Sequence, residues 1–192
     1  MPICAFVVAL VLSATGGLAP GQSYKNTAPE SFRANAQATG STAGVAAALT
    51  FQIDAYTPDG ERERLLKALA DGGSAAFVEA LKKAPVAGTL QASDRKIAIR
   101  FARDEPTAAG GRRITLVTDA PVYFVGGGAL DAKPTAGFDV AVVQFEVDSV
   151  GLGSGSMAAA ARVKPGGTSG VQIDDYAREP IKLVTVSRNV PK

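Results

Sequence analysis

From residue 86 onward the chain carries no helical period. Its apolar residues recur instead in short runs cut apart by turn signals. The candidate strands are 88–92, 96–102, 113–118, 122–125, 138–148, 154–164, 170–176 and 181–188. Ser93-Asp94, the 106–111 stretch, Gly126-Gly127-Gly128, Pro165-Gly166-Gly167 and Glu179-Pro180 separate most of them. Asp148-Ser149-Val150-Gly151 has the composition of a type I turn with glycine in the left-handed position, which predicts a hairpin. Strands joined by short links are most simply antiparallel neighbours. A meander of seven or eight strands is long enough to curl into a barrel or half-barrel.

Two elements precede this meander. Leu49, Phe51, Ile53 and Ala55 alternate with Thr50, Gln52, Asp54 and Tyr56, the period of a half-buried strand. Thr57-Pro58 then reads as a helix start, with Thr as N-cap, Pro in the first position and Asp59 and Glu61 in the first turn. Leu65, Leu66 and Leu69 form its apolar stripe, and Glu63 and Lys67 have the spacing of a pair. Gly72-Gly73 predicts a stop, Ser74 a second cap, and Phe77, Val78 and Leu81 a second buried face ending at Pro85. The expected fold is therefore α+β: a strand, a two-helix hairpin, then a long antiparallel meander. The meander forms a strongly curled sheet or partly closed barrel with the helix pair packed on it. The order matches the start of the helix-grip arrangement but lacks its C-terminal helix, so that comparison stays an analogy.

Residues 2–12 are an uncharged apolar run followed by small residues, and Gly16, Gly17 and Pro20 break it early. This reads as a cleaved export leader over residues 1–22, in preference to a retained membrane anchor or a buried strand. Cys4, the single cysteine, would leave with it, which suits an oxidising compartment. Residues 23–47 are rich in Ala, Ser, Thr, Gly, Asn and Gln, and read as a flexible low-complexity spacer. One α+β domain is expected over residues 48–190, exported to the periplasm or secreted.

Composition narrows the chemistry. The 192 residues include no His and one Cys, so no Ser-His-Asp triad, imidazole base, internal disulfide or Cys-rich metal cluster can form. No cofactor and no metal site is expected. A net charge of +2 is too small to imply a nucleic-acid partner, and membrane attachment is expected only through an uncleaved leader. Gly151-Leu152-Gly153-Ser154-Gly155-Ser156 lacks the spacing and following helix of a phosphate loop, and reads as a close-packed hairpin. Ser93-Asp94-Arg95-Lys96 matches a Ser-x-x-Lys pattern by chance, without the other elements that chemistry needs. Asp174 and Asp175 are adjacent on a strand, so they point apart and read as a solvated strand end. Three sets of residues stand out as contact candidates. Arg112 and Arg113 belong to a hairpin where six cations outnumber three acids. Tyr123 and Phe124 flank a triple glycine. Asp54, if its face is inward, needs a partner such as Arg100, Arg113 or Arg178.

Four short motifs carry a resemblance. They are Phe51-Gln52-Ile53-Asp54-Ala55-Tyr56, Gly111-Arg112-Arg113-Ile114, Gly153-Ser154-Gly155-Ser156-Met157, and Asp175-Tyr176 with Pro180-Ile181-Lys182-Leu183. Through them the stretch 51–188 resembles a group of small exported bacterial proteins of unknown function. The resemblance implies export and a single domain, and carries no activity or site. The leading functional expectation is a non-enzymatic exported binding protein, holding a small apolar ligand in the curled sheet. The alternatives are an envelope-associated interaction module without a pocket, and a hydrolase using two carboxylates converging at about 5–9.5 Å.

Overall fold

A computed structural model describes residues 28–37, 46–122 and 135–189. Its elements in chain order are β1 (Glu30–Gln37), β2 (Ala46–Ile53), α1 (Asp59–Lys83), β3 (Gly88–Ala92), β4 (Arg95–Pro106), β5 (Arg112–Thr118), β6 (Val140–Val147), β7 (Leu152–Pro165), β8 (Val171–Tyr176) and β9 (Ile181–Asn189). All strand pairings are antiparallel, in the order β6-β5-β4-β3-β2-β1-β9-β7-β8. A further β6–β7 pairing joins the two sides, so eight strands close into a barrel and β8 is an extra strand on β7. Full closure removes the unpaired edges that a half-barrel would leave.

Alternation puts one face of each strand inside. Phe32, Leu49, Phe51, Ile53, Leu90, Ile99, Ile114, Leu116, Val143, Phe145, Met157 and Val186 fill the interior, each with an exposure of at most 1 %. Phe145 is at the centre, 5.0 Å from the Phe32 ring and 5.6 Å from the Phe51 ring. Gly155 lies directly opposite Phe145, and a Cβ there would collide with Gln144 O and the Phe145 side chain. The glycines of this hairpin thus let β7 approach β6 over a large aromatic residue, and bear out the packing role expected of them. The turn before them also forms as expected, with Gly151 at φ 86 and its N–H donating to Asp148 O at 3.1 Å.

The second core lies on the outside of the wall. Leu65, Leu69, Phe77, Val78 and Leu81 of α1 cover Phe101, Val117, Val140 and Val142. Past a register shift, β7 pairs with β8 instead of β9, and Val163 and Val171 join this outer layer. The β7–β8 tip reaches the start of α1, where Arg62 Nε donates to Ser169 O at 3.4 Å.

Five expectations change or sharpen. The strongly curled sheet or partly closed barrel is a fully closed barrel. The two-helix hairpin is one helical element, interrupted at Gly73, whose dihedrals (φ 67, ψ −163) are non-helical. One glycine supplies the whole bend, and across it Arg64 Nη2 donates to Ala80 O at 3.2 Å. Ser74 caps nothing; its hydroxyl accepts the Val163 N–H of β7. The helix begins at Asp59 with Pro58 before it, because Thr57 Oγ1 is taken by the Ala102 N–H at 2.9 Å. Finally, the stretch read as a spacer contains β1, which pairs with β2 on one side and β9 on the other, so the folded domain begins before residue 48. The candidate strand 122–125 falls almost wholly outside the described residues, as does the leader.

Truncating the central ring measures how full the interior is. Phe145→Ala should cost about 3–5 kcal/mol in urea unfolding. A loss below about 1 kcal/mol would mean that the barrel interior is loosely filled.

Candidate functional site

At one end of the barrel, β1 begins, β4, β6 and β9 end, and β5 begins. The inward positions there carry charge instead of hydrocarbon. Glu30 is the first inward residue of β1, and its side chain is only 1 % exposed. Arg112 grips it with both arms, Nη1 donating to Oε1 at 2.8 Å and Nη2 to Oε2 at 2.7 Å. This fork-to-carboxylate geometry is the strongest form of a charge-assisted pair. Tyr56 Oη donates to Oε1 at 2.6 Å, and Arg188 Nε lies 2.9 Å from Oε2. The Arg112 guanidinium sits 5.8 Å from the Phe32 ring centroid, so the cluster rests directly on the aromatic core.

Asp104 completes the group from β4. Its Oδ2 is 3.6 Å from Arg112 Nη1, and that oxygen has no hydrogen-bond partner among the described residues. Burial, helped by the nearby Glu30 charge, outweighs a backbone hydrogen bond and pushes the Asp104 carboxyl up to about 6. Burial, then Arg188, brings the Arg112 guanidinium down to about 10, so it stays charged at neutral pH. The Tyr56 phenol is raised far above its usual value by burial and by its hydrogen bond to Glu30.

The residues singled out in the sequence separate. Arg112 belongs to this cluster and is nearly buried. Arg113, its neighbour, points outward, with Nε and Nη2 both on Glu146 Oε1 at 2.8 and 2.6 Å. It lines an open surface groove of about 390 Å³ with Gln144, Phe145, Glu146, Ser154 and Gly155. Asp54 is exposed and faces outward, accepting from Gln52 Nε2 at 3.4 Å, so it needs none of the partners considered for it. Tyr123 and Phe124 lie outside the described residues. The basic excess of the β4–β5 hairpin is offset by acids from elsewhere. Arg100 pairs with Asp119, Arg103 with Asp59, Arg112 with Glu30 and Arg113 with Glu146. Asp174 and Asp175, expected to point apart, both meet Arg162 beside a register shift between β7 and β8, and Lys164 also holds Asp174, at a solvated strand end.

The sequence reading missed Glu30, Tyr56, Asp104 and Arg188. A signal for Glu30 existed: Glu30, Phe32, Ala34 and Ala36 alternate with Ser31, Arg33, Asn35 and Gln37, a strand period hidden by small side chains. Among the described residues, no group of three or more His, Cys, Asp and Glu is placed to hold a metal ion. None of their helices is long and apolar enough to cross a membrane. No family model, curated protein or solved structure matches the chain.

The raised Asp104 value fixes the sign of a pH effect. The folded state takes up this proton near pH 6, whereas an unfolded Asp takes it up near 3.9. Between those values the folded state binds more protons, so this contribution to stability grows as pH falls and is lost as pH rises through 6. From pH 7 to 5 the wild type should gain about 1 kcal/mol more than Asp104→Asn in urea unfolding. Parallel profiles for the two proteins would contradict this.

Proposed function

We propose that the protein is an exported, non-enzymatic binding protein that meets its partner through the outer surface of the barrel, as an envelope-associated interaction module. The observation that carries this reading is the filled interior. Phe32, Phe51 and Phe145 occupy the centre, and the aliphatic side chains around them have almost no exposure. A small apolar ligand inside would have to displace this packing, at the cost of opening a well-packed core. The surface reading therefore takes precedence over the apolar-ligand one.

The chemistry of the ionic cluster favours the same side. Glu30 and Asp104 share Arg112, yet their side chains are 1 % and 8 % exposed, and Asp174 and Asp175, which share Arg162, lie on a solvated strand end. A carboxylate hydrolase needs its pair in a cleft with room for substrate and water. Export is supported by the apolar run and small-residue zone of residues 2–19, and by the resemblance to small exported bacterial proteins. The exposed part of the contact candidates is Arg113, in the groove with Glu146; Arg112 is committed to the barrel end.

Native mass spectrometry on protein purified from cells that produce it naturally tests this reading. The expected mass is that of the chain alone. A stoichiometric apolar adduct, extractable into organic solvent, would overturn it in favour of an internal ligand.

A further inference from the structure

The donors around Glu30 come from parts of the chain other than β1. Tyr56 comes from the link between β2 and α1, Arg112 from β5 and Arg188 from β9. Each carboxylate oxygen receives two of these groups: Oε1 meets Tyr56 Oη and Arg112 Nη1, and Oε2 meets Arg112 Nη2 and Arg188 Nε. The frame is held in place from behind. The Arg188 N–H donates to Gly151 O at 2.8 Å, and a Cβ on Gly151 would press on the Arg188 side chain. Planar, two-armed recognition by one arginine, closed by a second cation and a phenol, is how a protein selects a carboxylate over other small groups.

We propose that Arg112, Arg188 and Tyr56 form a carboxylate-binding site which the chain fills with its own Glu30, and that a free monocarboxylate binds there when that side chain is removed. Glu30 is thus an internal ligand that keeps the site closed. This site is separate from the outer surface assigned above to a partner. Removing the side chain beyond Cβ deletes one methylene carbon and the carboxylate, which are the heavy atoms of acetate. What remains is two guanidinium groups, the nearly buried Arg112 and the more exposed Arg188, with Asp104 Oδ2 3.6 Å from Arg112. Removing one partner of a buried ion pair is strongly destabilising, so the emptied site favours an anion in its place. Arg188, about one-third exposed, borders the route by which it enters.

The full-length Glu30→Ala variant provides the test, with sodium acetate as the probe and equimolar sodium chloride and acetamide as controls. The variant should melt well below the wild type at pH 7. Acetate should raise its melting temperature by several degrees in a saturable way. Acetamide, neutral and of the same shape, should not, and the wild type should respond to acetate no more than to chloride. Adding Arg112→Gln to Glu30→Ala should abolish the acetate response. Equal acetate shifts in wild type and variant, or a response that persists without Arg112, would overturn the proposal. If Glu30→Ala does not fold in buffer, refolding is followed by circular dichroism in acetate and in acetamide. Recovery of the folded signal in acetate alone supports the site; recovery in neither, or equally in both, overturns it.

Discussion

The carboxylate of Glu30, sealed from water and held by two arginines and a tyrosine, is what keys β1 into the barrel. Four donor contacts converge on it from three other parts of the chain. Taking these charges out of water costs several kcal/mol per ion, and the attraction between them roughly offsets that cost. The net gain in stability is therefore small, and the larger consequence is specificity. The inward face of β1 offers Phe32 as its one large apolar group, with Ala34 and Ala36 beside it. A slip of one residue would carry Arg33 and Asn35 inward and leave Arg112 facing no carboxylate on β1. The ionic clamp makes that register costly and leaves one arrangement.

Everything else follows from β1 being in place. Between β2 and β9 it closes the eight-stranded wall, and closure gives the three contacting phenylalanines a common interior. Once the interior is filled from within, α1 and the β7–β8 arm have only the outside to cover. They do so over Phe101, Val117, Val140 and Val142, which would otherwise be an apolar patch in water. A barrel so built leaves its charged groups at the rim and on its surface, and the two carboxylates that meet at the rim link β1 and β4 to Arg112 of β5.

Much of the second half was legible in the sequence because its signals are local. The Asp148–Gly151 turn, the glycine row after it and the period-two runs each depend on neighbours a few residues away. The apolar stripe of α1 is equally plain, whereas its bend and caps are not, since one glycine at φ 67 joins the two segments and Thr57 and Ser74 bond to β4 and β7 instead of capping. β1 was not legible as a strand because its apolar positions are mostly alanine, which carries a weak hydrophobic signal in a polar stretch. The site was hidden for a different reason. Glu30 and Arg112 are 82 residues apart, and neither Arg112 nor Arg113 shows in sequence which of them faces inward. The strand's parity decides it, and that parity is set by pairing with β4 and β6.

A double-mutant cycle between Glu30 and Arg112 tests the role of the clamp most directly. Glu30→Gln, Arg112→Met and the pair are compared with the wild type by urea unfolding. Each single change takes away the main partner of a buried charge, while the double change removes both charges. The account predicts a coupling energy of at least about 2 kcal/mol, with the double variant less destabilised than the sum of the singles. Additive losses, within about 0.5 kcal/mol, would contradict it and leave β1 held by backbone pairing and Phe32 alone.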